Sequence, residues 1–324
     1  MKAAVLTHDG FTITQIDRPT PGPDQVLVKV SACALNRADL GVIAGGMHGS
    51  QGGAGTVPGM EFAGEIVGLG ANVSGFKVGE RVMCSGQGAY AEYAVTDWGR
   101  VMHIPVGTMS DEQAVTLPVA VQTMHDAIVT NGQLRAGDTV LIQGASSGVG
   151  LLGMQIAKLM GANMVIGTST TQARRDQLHL YGADVALDSS NRNWTQQAIE
   201  ANGGKGVDVI IDQLSGPFGN QNLEAAAVLA RIVNVGRLAG RTAEFDFDLH
   251  ALKRIKYIGV TFRTRSAEEV REITRRAMAD LGPFLQAGKL SLPIDQVFAF
   301  DRLADAFARM KRNEHFGKIV VTMG

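Results

Sequence analysis

Apolar residues along this chain change their spacing once, close to Leu117. Before that point they fall in short runs at residues 26–30, 62–67, 81–83 and 90–95. Turn signals such as Pro21-Gly22-Pro23 and Gly79-Glu80 separate the runs. Short strands broken by glycine and proline predict a compact β domain. From about Pro118 the spacing alternates. Strand-like stretches at 139–142, 163–167, 207–212, 231–235 and 256–261 are divided by helical patterns at 149–160, 174–181, 194–201 and 222–229. Such alternation predicts a parallel sheet with helices on both faces. A helical stretch at 267–287 precedes strand-like 297–300, a short helix at 303–312 and a last strand at 318–321, which can return to the first domain. The expected organisation is a β domain of residues 1–121 and 288–324, interrupted by an α/β domain of residues 122–287.

Composition narrows the class. A length of 324 residues with 45% hydrophobic content suits two domains with buried cores, and a net charge of −1 excludes a disordered chain. The 40 glycines lack a collagen period and prolines number only 9. Thirty basic against 31 acidic residues offer no electrostatic footprint for nucleic acid or an anionic membrane. Two cysteines, Cys33 and Cys84, cannot build a disulfide framework or a four-cysteine zinc lobe, and they read as core residues. The long uncharged stretches 40–60 and 139–157 are interrupted by glycine and polar residues, unlike a lipid-facing helix of about 20 apolar residues. A soluble, cytoplasmic protein is expected.

The strongest motif opens the α/β block. Strand 139–142 runs into Gln143-Gly144-Ala145-Ser146-Ser147-Gly148-Val149-Gly150 and then directly into an apolar helix. Small residues let backbone approach a pyrophosphate, whose charge meets free N–H groups at the helix start. Ser146, Ser147, Gly148, Val149 and Gly150 are therefore the expected pyrophosphate contacts. The next strand ends in Thr168-Ser169-Thr170-Thr171, with Arg174 and Arg175 beyond and no acid before Asp176. An NAD site normally places an acidic residue here for the ribose hydroxyls. Hydroxyls with a guanidinium suit a 2′-phosphate instead, so NADP(H) is the expected cofactor.

Several segments together resemble the zinc-independent quinone oxidoreductase branch of the medium-chain dehydrogenase/reductase superfamily. They are Ala34-Leu35-Asn36-Arg37-Ala38-Asp39-Leu40, Pro58-Gly59-Met60-Glu61-Phe62-Ala63-Gly64, Arg135-Ala136-Gly137-Asp138 with the strand after it, Ser147-Gly148-Val149-Gly150, and Gly317-Lys318-Ile319-Val320-Val321. Phe262-Arg263-Thr264-Arg265-Ser266 adds a likeness to the tumour-suppressor-inducible NADPH:quinone oxidoreductases within it. The resemblance implies a GroES-like β domain with an inserted six-stranded Rossmann domain, and a homodimer through the Rossmann edge strand at 256–261. It implies Thr123, Gly236, Arg237, Phe262 and Arg263 near the nicotinamide, and Thr168, Ser169, Thr170 and Arg174 at the adenosine end. Zinc ligands of related enzymes fall at positions that are Asn36, Met60 and Val119 here, so no metal is expected.

The implied activity is hydride transfer from NADPH to a quinone. A reductase of activated C=C bonds in enones or acryloyl compounds shares every one of these features. An NADPH-regulated single-stranded RNA-binding protein is the reading from another class, and the balanced charge provides no extensive basic groove for it. Asn36, Asp39 and His125 match substrate-pocket positions. Asn36 and Asp39 equally suit helix capping, and His125 equally suits a packed, hydrogen-bonded core position. No acid–base residue is identified. The loop 41–58, glycine-rich and without an aromatic residue, is expected to leave a roomy, mobile entrance.

Overall fold

The computed structural model describes Met1–Gly324 and divides into two compact units, Met1–Val119 with Phe262–Gly324, and Ala120–Thr261. The first unit opens with a hairpin of β1 (Lys2–Thr7) and β2 (Gly10–Gln15). Then follow β3 (Gln25–Ala34), β4 (Glu61–Leu69), β5 (Arg81–Ser85), β6 (Tyr93–Asp97) and β7 (Val101–His103). β3 is the spine, pairing antiparallel with β4 and, along residues 25–29, with β6. Val26, Val28 and Val30 on one face of β3 join Phe62, Ile66, Val82 and Tyr90 in the core, as a period-two strand with one buried face requires.

The second unit carries β8 (Thr139–Ile142), β9 (Met164–Thr168), β10 (Val185–Leu187), β11 (Val207–Asp212), β12 (Ala226–Asn234) and β13 (Lys256–Gly259). All pair in parallel, in the order β10-β9-β8-β11-β12-β13. This is the doubly wound arrangement, whose order reverses between β8 and β11. Every residue of β8 is buried, as expected for a strand covered on both faces. The expected helix at 222–229 is displaced. The helix spans Phe218–Ala225, and the alanine-rich run after it becomes β12. Helix propensity favours Ala226–Leu229, but Lys253 Nζ takes the carbonyls of Leu223, Glu224 and Ala226 at 2.7–2.9 Å and closes the helix there. Likewise, the expected helix 174–181 is only a turn at Gln172–Arg175 followed by a 3₁₀ turn at Leu178–Tyr181.

Beyond the insertion, the helix Ala267–Gln286 buries Val270, Ile273, Ala277, Leu281 and Leu285. The pattern placed residues 262–287 in the inserted domain, whereas the structure groups them with the first unit. Arg271 makes a fork to Asp97 at 2.9 and 2.7 Å and lies 4.9 Å from the Trp98 ring centroid, fastening this helix to the end of β6. β14 (Ile294–Ala299) and β15 (Lys318–Thr322) pair in parallel, and β15 completes the first sheet against β3. No helix is long and apolar enough to cross a membrane.

Candidate functional site

In the second unit the carboxyl ends of β8, β9, β11 and β12 meet at the point where strand order reverses, the usual ligand crevice of such sheets. Gly144 turns the chain out of β8 with φ +66°, a conformation glycine adopts without strain. Ser147 caps the helix Gly148–Leu159: its hydroxyl accepts from the Gly150 N–H at 3.0 Å and donates to the Gly144 carbonyl at 2.9 Å. The N–H groups of Gly148 and Val149 belong to the first turn and have no intrahelical acceptor, which makes them available to an anion. Gly150 permits a close backbone approach here. A Cβ on it would stand 2.7 Å from Ala145 Cα and from the Gly144 carbonyl oxygen.

A buried polar network that the motif does not reveal holds this turn. Thr168 donates to Gln143 Oε1 at 2.6 Å and accepts from the Gly144 N–H, so its hydroxyl is occupied in shaping the turn. Gln143 Nε2 reaches Asn222 Oδ1 at 2.9 Å. Gln213, at the end of β11, donates to the Gln143 carbonyl at 2.8 Å, and its Oε1, 3.2 Å from the Ser147 hydroxyl, shares with the Gly144 carbonyl the single proton of that hydroxyl. Gln143, Gln213 and Asn222 are all buried. Gln143 and Gln213 pair across the reversal point of the sheet, and Asn222 joins them through its Oδ1 while its Nδ2 has no partner. The only sequence signal for them is an amide in an otherwise apolar strand end.

At the end of β9, Ser169 donates to Ser146 at 3.1 Å, bringing two expected cofactor contacts together. Thr170 is exposed and Arg174 half-buried on the following turn. Arg175 is engaged elsewhere, donating to the Ser169 carbonyl at 2.9 Å and pairing with Asp188 at 3.1 Å. It fixes the loop. Gly236 follows β12 so closely that a Cβ would stand 2.4 Å from the Gln213 carbonyl oxygen. The adjoining Arg237 donates to the Val235 carbonyl. Burial raises the pKa of Asp212, whose Oδ1 accepts from the Leu214 and Ser215 N–H groups and shapes the neighbouring turn. Thr123 is half-buried in the helix Pro118–His125, and His125 is buried at its end.

The first unit holds Asn36 and Asp39, along with the half-buried Phe262 and the exposed Arg263. Asn36 begins the helix Arg37–Ile43, and Asp39 Oδ2 accepts its backbone N–H at 2.8 Å, the reciprocal bond of a capping box. Tyr90 donates to the same oxygen at 2.6 Å. Asp39 is fully buried and its Oδ1 has no partner. Burial pushes its pKa up to about 6, against the lowering by Tyr90, Asn36 and Lys318. The Asn36 side chain turns the other way. Its Nδ2 donates to Glu61 Oε1 at 2.8 Å, and its Oδ1 accepts from Lys318 Nζ at 3.0 Å. Lys318 also pairs with Glu61 Oε1, and Glu61 Oε2 takes the Val119 N–H at 3.0 Å. Asp39 thus caps the helix start through the Asn36 backbone N–H, while the Asn36 side chain joins Glu61 and Lys318 in a polar cluster. The spacing of the sequence does not single out Glu61, Lys318 or Tyr90, although a lysine and a glutamate inside apolar strands are a signal for the first two.

The loop 41–58 carries its own backbone hydrogen bonds. His48 and Gln51 exchange backbone bonds at 2.9 and 3.1 Å, and Leu6 bonds to the loop at Gly55 and Thr56. A Cβ on Gly49 would touch the backbone of Arg263 at 3.3 Å.

A glycine-lined helix start at the reversal point of a doubly wound sheet is the arrangement in which such folds bind dinucleotides. Residues 22–106 match the alcohol dehydrogenase GroES-like domain family, and residues 148–279 match the family described as zinc-binding dehydrogenase. The chain belongs to the medium-chain dehydrogenase/reductase superfamily. It is 29% identical to a quinone oxidoreductase of Pongo abelii, covering 89% of this chain and 85% of that protein. It is also 30% identical to a phenolphthiocerol/phthiocerol polyketide synthase of Mycobacterium tuberculosis, over 97% of this chain but only 14% of that protein's length. Among solved structures, an alcohol dehydrogenase superfamily protein from Novosphingobium aromaticivorans aligns over all of both chains with TM-score 0.89 and 29% identity. The CurK enoyl reductase aligns over 100% of this chain and 99% of that one, with TM-score 0.86 and 25% identity.

Proposed function

We propose that this chain is a zinc-independent oxidoreductase that uses NADPH to reduce a quinone. The observation that carries the cofactor reading is the pair formed by the Gly144–Gly150 turn and the Ser169–Arg174 end of β9. The turn is too tight for any Cβ at Gly150, and the end of β9 supplies hydroxyls and one guanidinium with no acid. Ser146, Ser147, Gly148, Val149 and Gly150 would hold the pyrophosphate, with Thr168 bracing the turn. Ser169, Thr170 and Arg174 would hold the 2′-phosphate. Thr123, Gly236, Arg237, Phe262 and Arg263 are assigned to the nicotinamide end. When bound, the reduced nicotinamide supplies the hydride, and the protein supplies binding and orientation.

The residues around Glu61 do not fit zinc. Met60 and Val119 bring no nitrogen, oxygen or thiolate side-chain donor, the Asn36 amide is engaged on both sides, and the Lys318 ammonium already meets Glu61. Asn36 is assigned as the substrate contact in this unit, with Asp39 behind it, and His125 as the substrate contact in the other.

The likeness to the CurK enoyl reductase favours a second reading, reduction of a C=C bond conjugated to a carbonyl. NADPH consumption against a panel of ortho- and para-quinones and enones tests the pair. Deuterium from labelled NADPH on a product carbon marks C=C reduction, and no turnover with any acceptor refutes both.

The edge strand β13 and the exposed Val228, Leu229, Phe247 and Leu252 of the same unit are assigned to a homodimer contact. Open apolar edges are otherwise pairing hazards.

A further inference from the structure

The end of β9 carries no acid of its own, yet the fold brings one to it from the neighbouring strand. β10 runs parallel to β9 with Leu187 opposite Thr168, and the Ser169 N–H donates to the Leu187 carbonyl at 3.1 Å. Asp188, one residue further on, therefore stands beside Ser169, where a doubly wound site receives the adenosine ribose. Arg175 joins the two. Its Nη1 donates to the Ser169 carbonyl at 2.9 Å and lies 3.1 Å from Asp188 Oδ2, while its Nη2 donates to Gln172 Oε1 at 2.7 Å. Asp188 Oδ1 accepts from the N–H and the hydroxyl of Ser190, at 2.9 and 2.6 Å. Those Ser190 bonds, together with the Arg175 charge, hold the Asp188 pKa below the ordinary carboxylate value, so the acid is ionised at neutral pH. A carboxylate oxygen has two lone pairs, and Oδ2 keeps one for a further donor. The Asp188 side chain is 32% exposed against 12% for Arg175, which makes the acid the more accessible member of the pair.

We propose that Asp188 and Arg175 are a specificity pair: Arg175 cancels an acid that would otherwise select the ribose diol of NADH, and so admits the 2′-phosphate of NADPH. The inference rests on the NADPH-dependent reading above. At this place the two cofactors differ by a hydroxyl against a phosphate of about two negative charges. A bare carboxylate accepts a hydrogen bond from the hydroxyl and repels the phosphate, whereas one paired with a guanidinium does neither strongly. Solvent screens a half-exposed pair, so the preference is graded and not absolute. Removing the Arg175 charge uncovers the acid, and removing the acid leaves the Arg175 charge uncompensated. The two substitutions therefore move cofactor preference in opposite directions. A pair that only held the loop would, broken from either side, weaken both cofactors alike.

The test is binding to the full chain, with NADPH and NADH followed by nicotinamide fluorescence and adenosine 2′,5′-bisphosphate and 5′-AMP by calorimetry. R175M keeps the apolar stem and loses the charge; it should lower the NADPH-to-NADH affinity ratio about tenfold, and the bisphosphate-to-AMP ratio with it. D188N should raise both ratios about threefold. The double variant R175M/D188N should return to within about threefold of the wild-type ratios. R175K, which keeps the charge but not the planar fork, should hold the NADPH preference while the loop loosens. An R175M protein that loses both cofactors by the same factor overturns the inference, as does a double variant whose ratios stay as low as those of R175M. A wild type that prefers NADH, with the two single variants still moving the ratios in opposite directions, refutes the NADPH reading and leaves the pair standing. A wild type that binds neither dinucleotide removes both.

Discussion

Replacing Gly150 by alanine sets two effects of similar size against each other. Alanine gains about 1 kcal/mol over glycine inside a helix. Against this, the added methyl would sit 2.7 Å from Ala145 Cα and the Gly144 carbonyl oxygen, and 2.8 Å from the Ala145 carbonyl oxygen. All three are backbone atoms, so no side chain can swing aside. Reaching ordinary contact near ~3.4 Å requires the turn and the helix start to separate by about 0.7 Å, at an overpacking cost of roughly 1–3 kcal/mol. The net is a loss of about 1 kcal/mol, or a fall of about 2–4 °C in Tm. Cofactor binding falls further. The same displacement takes the N–H groups of Gly148 and Val149 out of hydrogen-bond range of a phosphate, and one lost bond to a charged group is worth about 1.5–3 kcal/mol. The NADPH dissociation constant should rise about 10- to 100-fold. Fluorescence titration with NADPH and thermal melts with and without it make the measurement, and G150A should show little NADPH-induced rise in Tm. Gly219 is the control, because it lies in the helix Phe218–Ala225 with nothing within 4 Å of its would-be Cβ. G219A should leave NADPH affinity unchanged and stabilise by up to about 1 kcal/mol. A G150A protein that binds NADPH as tightly as the wild type, or gains stability alongside G219A, would refute the close-approach argument.

Arg174→Ala should raise the Michaelis constant for NADPH about tenfold or more and leave that for NADH unmoved; equal changes for both cofactors would remove the 2′-phosphate assignment. Arg175→Ala should loosen the loop and lower Tm with either cofactor present, since Arg175 holds the Ser169 carbonyl and Asp188. Asp39 is a buried carboxyl with its pKa raised from 3.8 to about 6, so the folded state binds its proton more tightly than the unfolded state. Its contribution is therefore full below about pH 4 and is lost as pH rises to about 6, a swing of about 3 kcal/mol. Urea unfolding of wild type and D39N across this window should diverge by that amount, wild type losing stability relative to the variant as pH rises; parallel curves would place the proton elsewhere. For the proposed homodimer, replacing Val228 and Leu229 by lysine should lower the sedimenting mass from that of two chains to that of one; a wild type that sediments as one chain refutes the dimer, and a variant that stays at two moves the contact off this edge.

Much of the fold was legible because its signals are local. The period-two runs before Leu117 became β3, β4, β5 and β6, and the strand–glycine–helix order at residues 139–160 became β8, the turn and its helix. The errors arose where a distant residue decided. The stretch 222–229 has good helix formers, yet Lys253, far along the chain, ends the helix at Ala225. The helix Ala267–Gln286 carries no sign of its domain in its own spacing; Arg271 and its bond to Asp97 settle that. A single sequence also cannot show which backbone groups of the loop 41–58 Leu6 bonds or how near Arg263 stands to Gly49.

Sequence alone determined the places where atoms must be small or charge must be absent. Glycines at the pyrophosphate turn, hydroxyls without an acid after β9, and the non-ligating Met60 and Val119 are statements about single residues and their neighbours. Only tertiary structure decided what the polar side chains do. Asn36, Glu61 and Lys318 lie on three separate stretches of chain, and antiparallel pairing of β15 with β3 and of β3 with β4 brings them together. Hydrogen-bond direction depends on which atom faces which, so an amide's role exists only once its partners are in place.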